Sequence, residues 1–170
     1  AMAKQRGIEI IETRIATDVL AVIINPSNPV SSLTIEQISA IYTGAITNWN
    51  QVGGNDAQII ALARDTNSGT HVYFKETVVQ MAGLETSDPS LEYGGRVQFL
   101  PSSSMGVTQV AQNPNAVFFI GMGYVTSDVR AVAVARTAAD APVAPGMETA
   151  LDGSYSIARG LYYYTNGQPE

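Results

Sequence analysis

The stretch Arg64-Asp65-Thr66-Asn67-Ser68-Gly69-Thr70-His71-Val72-Tyr73-Phe74 decides how the rest of the chain is laid out. Ile59-Ile60-Ala61-Leu62-Ala63 precedes it, an apolar run short enough to be a buried strand. Phe74, Val78, Met81 and Ala82 follow at helical spacing. The pattern predicts a strand end, a polar turn and a helix start. The first N–H groups of a helix have no partner inside it and its dipole is positive there, so such a turn can hold an anion. Ser68 and Thr70 add hydroxyls, and Gly69 lets a ligand approach the backbone. Arg64 leaves the strand with a planar guanidinium suited to a phosphate-like oxyanion. A plain N-cap serine beside a solvated surface arginine fits the same letters, and both readings stand at this point.

The 170 residues, 45% hydrophobic and 14% charged, suffice for one domain with a real core, and nothing in them suggests disorder. A net charge of -6 argues against a general nucleic-acid binder, so no nucleic-acid partner is expected. It also means that an anion would be held by local donors against a repelling overall field. Cysteine is absent, which excludes disulfides, thiol catalysis and zinc–thiolate sites. No apolar run approaches the ~20 residues that span a bilayer, and no signal peptide is visible. Ala1-Met2-Ala3 looks like a cloning scar, with residues 1–7 a tag remnant or flexible start and an export signal removed upstream.

Along the chain, Ile8–Thr13 reads as an exposed strand and Val19–Ile24, without alternation, as a strand buried on both faces. The turn Asn25-Pro26-Ser27-Asn28-Pro29 ends it. Thr34 and Gln37 form a capping box, Leu33 and Ile38 a hydrophobic staple, and Gly44 a C-cap, which together predict a helix between them. Trp49, the only tryptophan, is expected to pack over the core edge. Strands are expected at 96–100, 116–120, 130–134 and 160–165, a loop at 137–146, and a short helix after Pro101-Ser102-Ser103-Ser104. That second serine-rich helix start is read as a cap or as a second ligand-facing edge through Ser103 and Ser104. Strands alternating with helices give the α/β class in a single domain.

Catalysis finds little support. His71 is the only histidine, and there is no Gly-x-Ser-x-Gly elbow, no His-Glu-x-x-His, no phosphate-binding P-loop and no dinucleotide glycine motif. His71 falls in the first helical turn, where the dipole disfavours its charged form; it reads as a surface or site-edge residue. No cofactor, metal or enzymatic activity is expected.

Several segments resemble one family. Asp18–Pro29 is similar to the entry strand of the second lobe in substrate-binding proteins of phosphate ABC transporters. Leu33–Gln37, Ile41–Gly44 and Ile46–Trp49 look like the helix and loop after it, and Arg64 with Ser68-Gly69-Thr70 and Phe74 resembles the family's phosphate motif. Val110–Pro114, Ile120–Tyr124, Asp152–Arg159 and Leu161–Thr165 match as well, so the resemblance runs from about residue 8 to the C-terminus. It implies one lobe of a type II periplasmic-binding-protein fold over 8–170, with a mixed, mostly parallel sheet flanked by helices and including the strands that cross between lobes. It also implies a periplasmic or surface-anchored receptor that closes on phosphate and delivers it to a permease. Arg64 would pair with phosphate oxygens, Ser68 and Thr70 would donate hydroxyls, and Gly69 and Thr70 would donate backbone N–H groups. Two departures stand out: the family's first lobe has no counterpart, and Gly160 stands where the family usually shows proline. The expected partners are therefore phosphate or a similar oxyanion, a transporter permease, and either the missing first lobe or a second copy of this chain. The competing reading is a one-lobe protein-interaction or sensory module with little ligand affinity.

Overall fold

Strand β1 (Ile10–Ile24) runs unbroken for 15 residues where the sequence suggests two separate strands. The intervening residues stay extended because β8 (Ala158–Asn166) pairs with them antiparallel, from Ile10 opposite Asn166 to Val19 opposite Ala158, with a bulge between Arg14 and Ala16. The computed structural model describes residues 10–167; Ile8, Glu9 and the start at 1–7 lie outside them.

The inner half of β1, Val19–Ile24, is buried on both faces as its unbroken apolar run requires. It lies between β5 (Ala116–Gly121) and β6 (Arg130–Ala131), antiparallel to both. With β3 at Ile60–Arg64 and β4 at Gln98–Leu100, the sheet order is β4-β3-β5-β1-β6, and β8 branches from β1. Within it β4, β3 and β5 run parallel, so the sheet is mixed. The strand expected at 130–134 is interrupted at Val132, which is fully buried and whose N–H donates to Val22 O at 2.9 Å. Beyond that point β7 (Ala133–Ala135) leaves the main sheet and pairs parallel with β2 (Ser32–Thr34).

Helix α1 (Ile35–Thr43) has both bonds of the capping box at Thr34 and Gln37 and ends at Gly44 with φ 88°. Trp49 is buried, with Nε1 donating to Asn115 O at 3.0 Å, which is the packing role expected of it. Helix α2 begins as Gly69–Phe74 and runs on into a π-helical turn, Lys75–Val79. That wider turn shifts the helical period, and the backbone reverses at Met81 with φ 54°. Phe74, Val78 and Met81 therefore face the core, while Ala82, at the next expected position, is exposed. Helix α3 (Ser103–Gln112) packs Gly106 so closely on the Phe118 ring that a Cβ there would lie 2.0 Å from it. A short α4 (Met147–Leu151) follows the loop at 137–146.

The larger core centres on Phe74, Phe119 and Tyr42, all fully buried. The Tyr42 hydroxyl donates to Leu62 O at 3.0 Å and that of Tyr155 to Leu20 O at 2.7 Å. Burial pushes the phenols of Tyr42, Tyr93 and Tyr155 well above tyrosine's usual 10.0. Each stays protonated in the fold while its unfolded counterpart ionises near pH 10.0, so the stability it contributes is complete below that pH and drains away above it. Alkaline titration should show the tyrosinate absorbance of these three phenols appearing in one cooperative step together with loss of circular dichroism, apart from that of the exposed tyrosines. A gradual rise in which every tyrosine ionises while the dichroism stays native would contradict this.

Candidate anion-binding site

Because β3 and β4 are parallel neighbours in register, Arg64 opposite Leu100, their C-terminal ends open on the same edge of the sheet. The helices that follow them, α2 and α3, start at that edge. In open α/β sheets this is where ligands bind. The Asp65 N–H donates to Leu100 O at 3.1 Å and the Ser68 N–H to Asp65 O at 3.1 Å, which folds the turn between β3 and α2. Ser68 occupies the N-cap position with extended backbone, but its side chain makes no capping bond. The cap reading of this serine therefore fails. Gly69 is exposed and Ser68 and Thr70 are half-buried, so the turn is open to solvent.

The second serine-rich start divides its roles. Ser102 caps α3 by accepting from the Met105 N–H at 3.2 Å, and its Oγ lies 3.1 Å from that of exposed Ser104. Ser103 accepts from Arg64 Nη1 at 2.9 Å, while Arg64 Nη2 donates to Pro101 O at 3.4 Å. The guanidinium is thus half-buried and tethered to the start of α3, and its buried Nε has no partner among the described residues. Arg64 and Ser103 are brought together; the bonds made by the Arg64 head group run to Ser103 and to Pro101 just before α3 rather than to the Ser68–Thr70 turn.

His71 corrects the sequence reading. It is 6% exposed, not a surface residue. Its Nδ1–H donates to Arg64 O at 2.9 Å, and its ring lies 4.8 Å from that of Tyr93 and 5.8 Å from that of Phe99. The last carbonyl of β3 needs a donor, and the first turn of α2 swings the imidazole beneath it. Through this bond His71 ties the end of β3 to the first turn of α2.

A further pair went unassigned. Asp18 on β1 and Arg159 on β8 are opposite one another in the ladder. Arg159 reaches Asp18 Oδ2 with Nε at 3.2 Å and Nη2 at 3.1 Å, and its Nη1 donates to Gly69 O at 3.3 Å. Its Cζ sits 4.7 Å from the centre of the Tyr73 ring, whose phenol is pushed up mainly by burial. Asp18 and Arg159 stand 141 positions apart, so no local spacing could mark them.

A guanidinium, hydroxyls and backbone N–H groups make an edge that can donate hydrogen bonds to an oxyanion. Among the described residues no group of three or more His, Asp or Glu could hold a metal ion, and no helix is long and apolar enough to cross a membrane.

The chain is 30% identical over 167 residues to the phosphate-binding protein PstS of Pseudomonas aeruginosa, covering 91% of this chain and 49% of that protein. It is 28% identical over 163 residues to the PstS of Borreliella burgdorferi, covering 94% and 56%. Among solved structures, an ABC-type phosphate transport receptor from Vibrio cholerae aligns with a TM-score of 0.79 at 30% identity, covering 95% of this chain and 62% of the receptor. A Clostridium perfringens protein, described as a phosphate ABC transporter substrate-binding protein with bound phosphate, aligns with a TM-score of 0.77 at 35% identity, covering 96% and 61%. The chain spans about half the length of the curated relatives it matches, the extent of one lobe. These relatives are binding proteins and transport receptors, and none of them is named as an enzyme. Residues 1–170 match the PBP superfamily domain from end to end, and the chain belongs to that family.

Proposed function

We propose that this chain is the phosphate-binding lobe of a solute-binding protein serving ABC-transporter uptake, and that it holds phosphate or a similar tetrahedral oxyanion at the edge between the starts of α2 and α3. The observation that carries this is the half-buried Arg64 guanidinium, held by Ser103 and Pro101 at an edge furnished with donors. A planar guanidinium presents N–H groups in a fixed fork that suits an oxyanion. The uncommitted capping position of Ser68 and the phosphate-binding relatives support the same reading. Arg64 pairs with the oxygens, Ser68 and Thr70 donate hydroxyls, and Gly69 and Thr70 donate N–H groups, with Ser103 and Ser104 forming the far rim.

Gly69 and Ser104 are exposed, so an anion held by this chain alone faces water. Contacts in water are screened and weaker than enclosed ones. The expected Kd is on the order of millimolar rather than micromolar, roughly 4 kcal/mol weaker. Calorimetric titration with inorganic phosphate at low salt measures it. Submicromolar binding by the monomer contradicts the open-edge argument, and no heat at tens of millimolar phosphate contradicts the binding itself.

The ribbon of β1 and β8 exposes Ile10, Ile15, Leu161, Tyr162, Tyr163 and Tyr164. In a two-lobed receptor this ribbon joins the companion lobe, whether that is the family's first lobe or a second copy, with a permease as downstream partner and a periplasmic or membrane-anchored location. The same apolar ribbon favours the second reading, a protein-interaction module.

A further inference from the structure

The peptide that links Gly69 to Thr70 carries two groups of opposite use. Its N–H, on Thr70, is one of the donors assigned above to the anion; its C=O, on Gly69, accepts from Arg159. A trans peptide is planar, with its N–H and C=O pointing in opposite directions. Whatever fixes the carbonyl therefore fixes the direction of the N–H. Arg159 is itself immobilised on two sides. Two of its nitrogens bond Asp18, directly across the β1–β8 ladder, and its guanidinium lies over the Tyr73 ring one helical turn further along α2. Gly69 leaves room for this: a Cβ there would come 3.9 Å from Arg159 Nη2, at the edge of contact. Asp18 also approaches Gly121 at the end of β5, so the pair sits where β1 passes from the ribbon into the core.

We propose that Arg159 is a positioning residue for the anion site: held by Asp18 on the crossing ribbon, it pins the Gly69 carbonyl and so aims the Thr70 N–H at the ligand. The proposal rests on the phosphate reading for its ligand, but the orientation it claims exists without one. Asp18 neutralises the guanidinium and locks its fork, and Arg159 carries the ribbon's position to the turn. A shift of the ribbon relative to the core would then reach the anion donors through one guanidinium, which ties ligand affinity to whatever the ribbon packs against.

The test compares the wild-type chain with Arg159→Ala and Arg159→Lys. Amide and carbonyl chemical shifts are recorded first without anion, and inorganic phosphate is then titrated by calorimetry. In Arg159→Ala the Gly69 carbonyl and Thr70 amide resonances should move before any phosphate is added, and the Kd should rise about threefold to tenfold, the worth of one aligned hydrogen bond. Arg159→Lys, which keeps the charge but loses the planar fork, should move the same two resonances. Unchanged Gly69 and Thr70 resonances in the alanine variant overturn the proposal, as does wild-type affinity in that variant. If the wild-type chain fails to bind phosphate, the functional reading falls, and the anion-free resonances alone decide whether Arg159 positions the turn.

Discussion

Arg64→Ala should remove phosphate binding from the measurable range while leaving the chain folded. The guanidinium contributes charge-assisted hydrogen bonds to the anion, and losing them is worth on the order of 2–3 kcal/mol, roughly 30- to 150-fold in Kd. Starting from a millimolar site, that leaves nothing for calorimetry to detect. Stability should barely change. The variant loses the bonds to Ser103 and Pro101, but it also removes a buried Nε that has no partner among the described residues, and these effects oppose one another. Thermal melting should stay within a few degrees of wild type. Undiminished phosphate binding in the variant would displace Arg64 from the site. If instead neither protein binds phosphate while a protein partner binds both equally, the interaction-module reading replaces the receptor reading.

The largest effect on stability is expected at Phe74. Its ring is fully buried, lies nearly parallel to Phe119 with centroids 3.7 Å apart, and meets the edge of Tyr42 at 5.1 Å. Phe74→Ala opens a cavity in the middle of the larger core and should cost about 3–5 kcal/mol. A domain's entire stability is only ~5–15 kcal/mol, so the variant should sit near its unfolding threshold at room temperature. In urea the midpoint should fall steeply with an unchanged slope. Phe74 is also the residue that fastens α2 to the sheet one turn beyond the anion donors, so phosphate affinity should decline with the folded fraction. A loss below 1 kcal/mol would mean that α2 is held by something other than this aromatic stack.

What could be read in the letters was local. The capping box at Thr34, the left-handed stop at Gly44 and the doubly buried run Val19–Ile24 are each settled within a few residues by hydrogen bonding or hydrophobic pattern. The strand–turn–helix around Arg64 was legible for the same reason. Other features depend on partners far along the chain. β1 is continuous because β8, at the other end of the sequence, supplies its ladder. The strand at 130–134 divides because two different sheets claim its halves. The imidazole of His71 is drawn inward by a carbonyl that only the fold leaves unmet. At the site, the letters named Arg64 and Ser103 separately; their contact spans 39 residues and follows only from β3 and β4 lying side by side. The Asp18–Arg159 pair lay further beyond reach, since a single charged residue on an exposed strand resembles any solvated one.

The central claim is that an oxyanion is received at one edge of the sheet by donors from Arg64 and the Ser68–Thr70 turn. It is tested most directly by titrating the isotope-labelled chain with inorganic phosphate and mapping the amide chemical shifts. The largest saturable shifts should fall on Ser68, Gly69 and Thr70, with smaller ones at Ser103 and Ser104, all following a single millimolar Kd. Shifts that concentrate on another face, or that never saturate and spread over the whole surface, would contradict it.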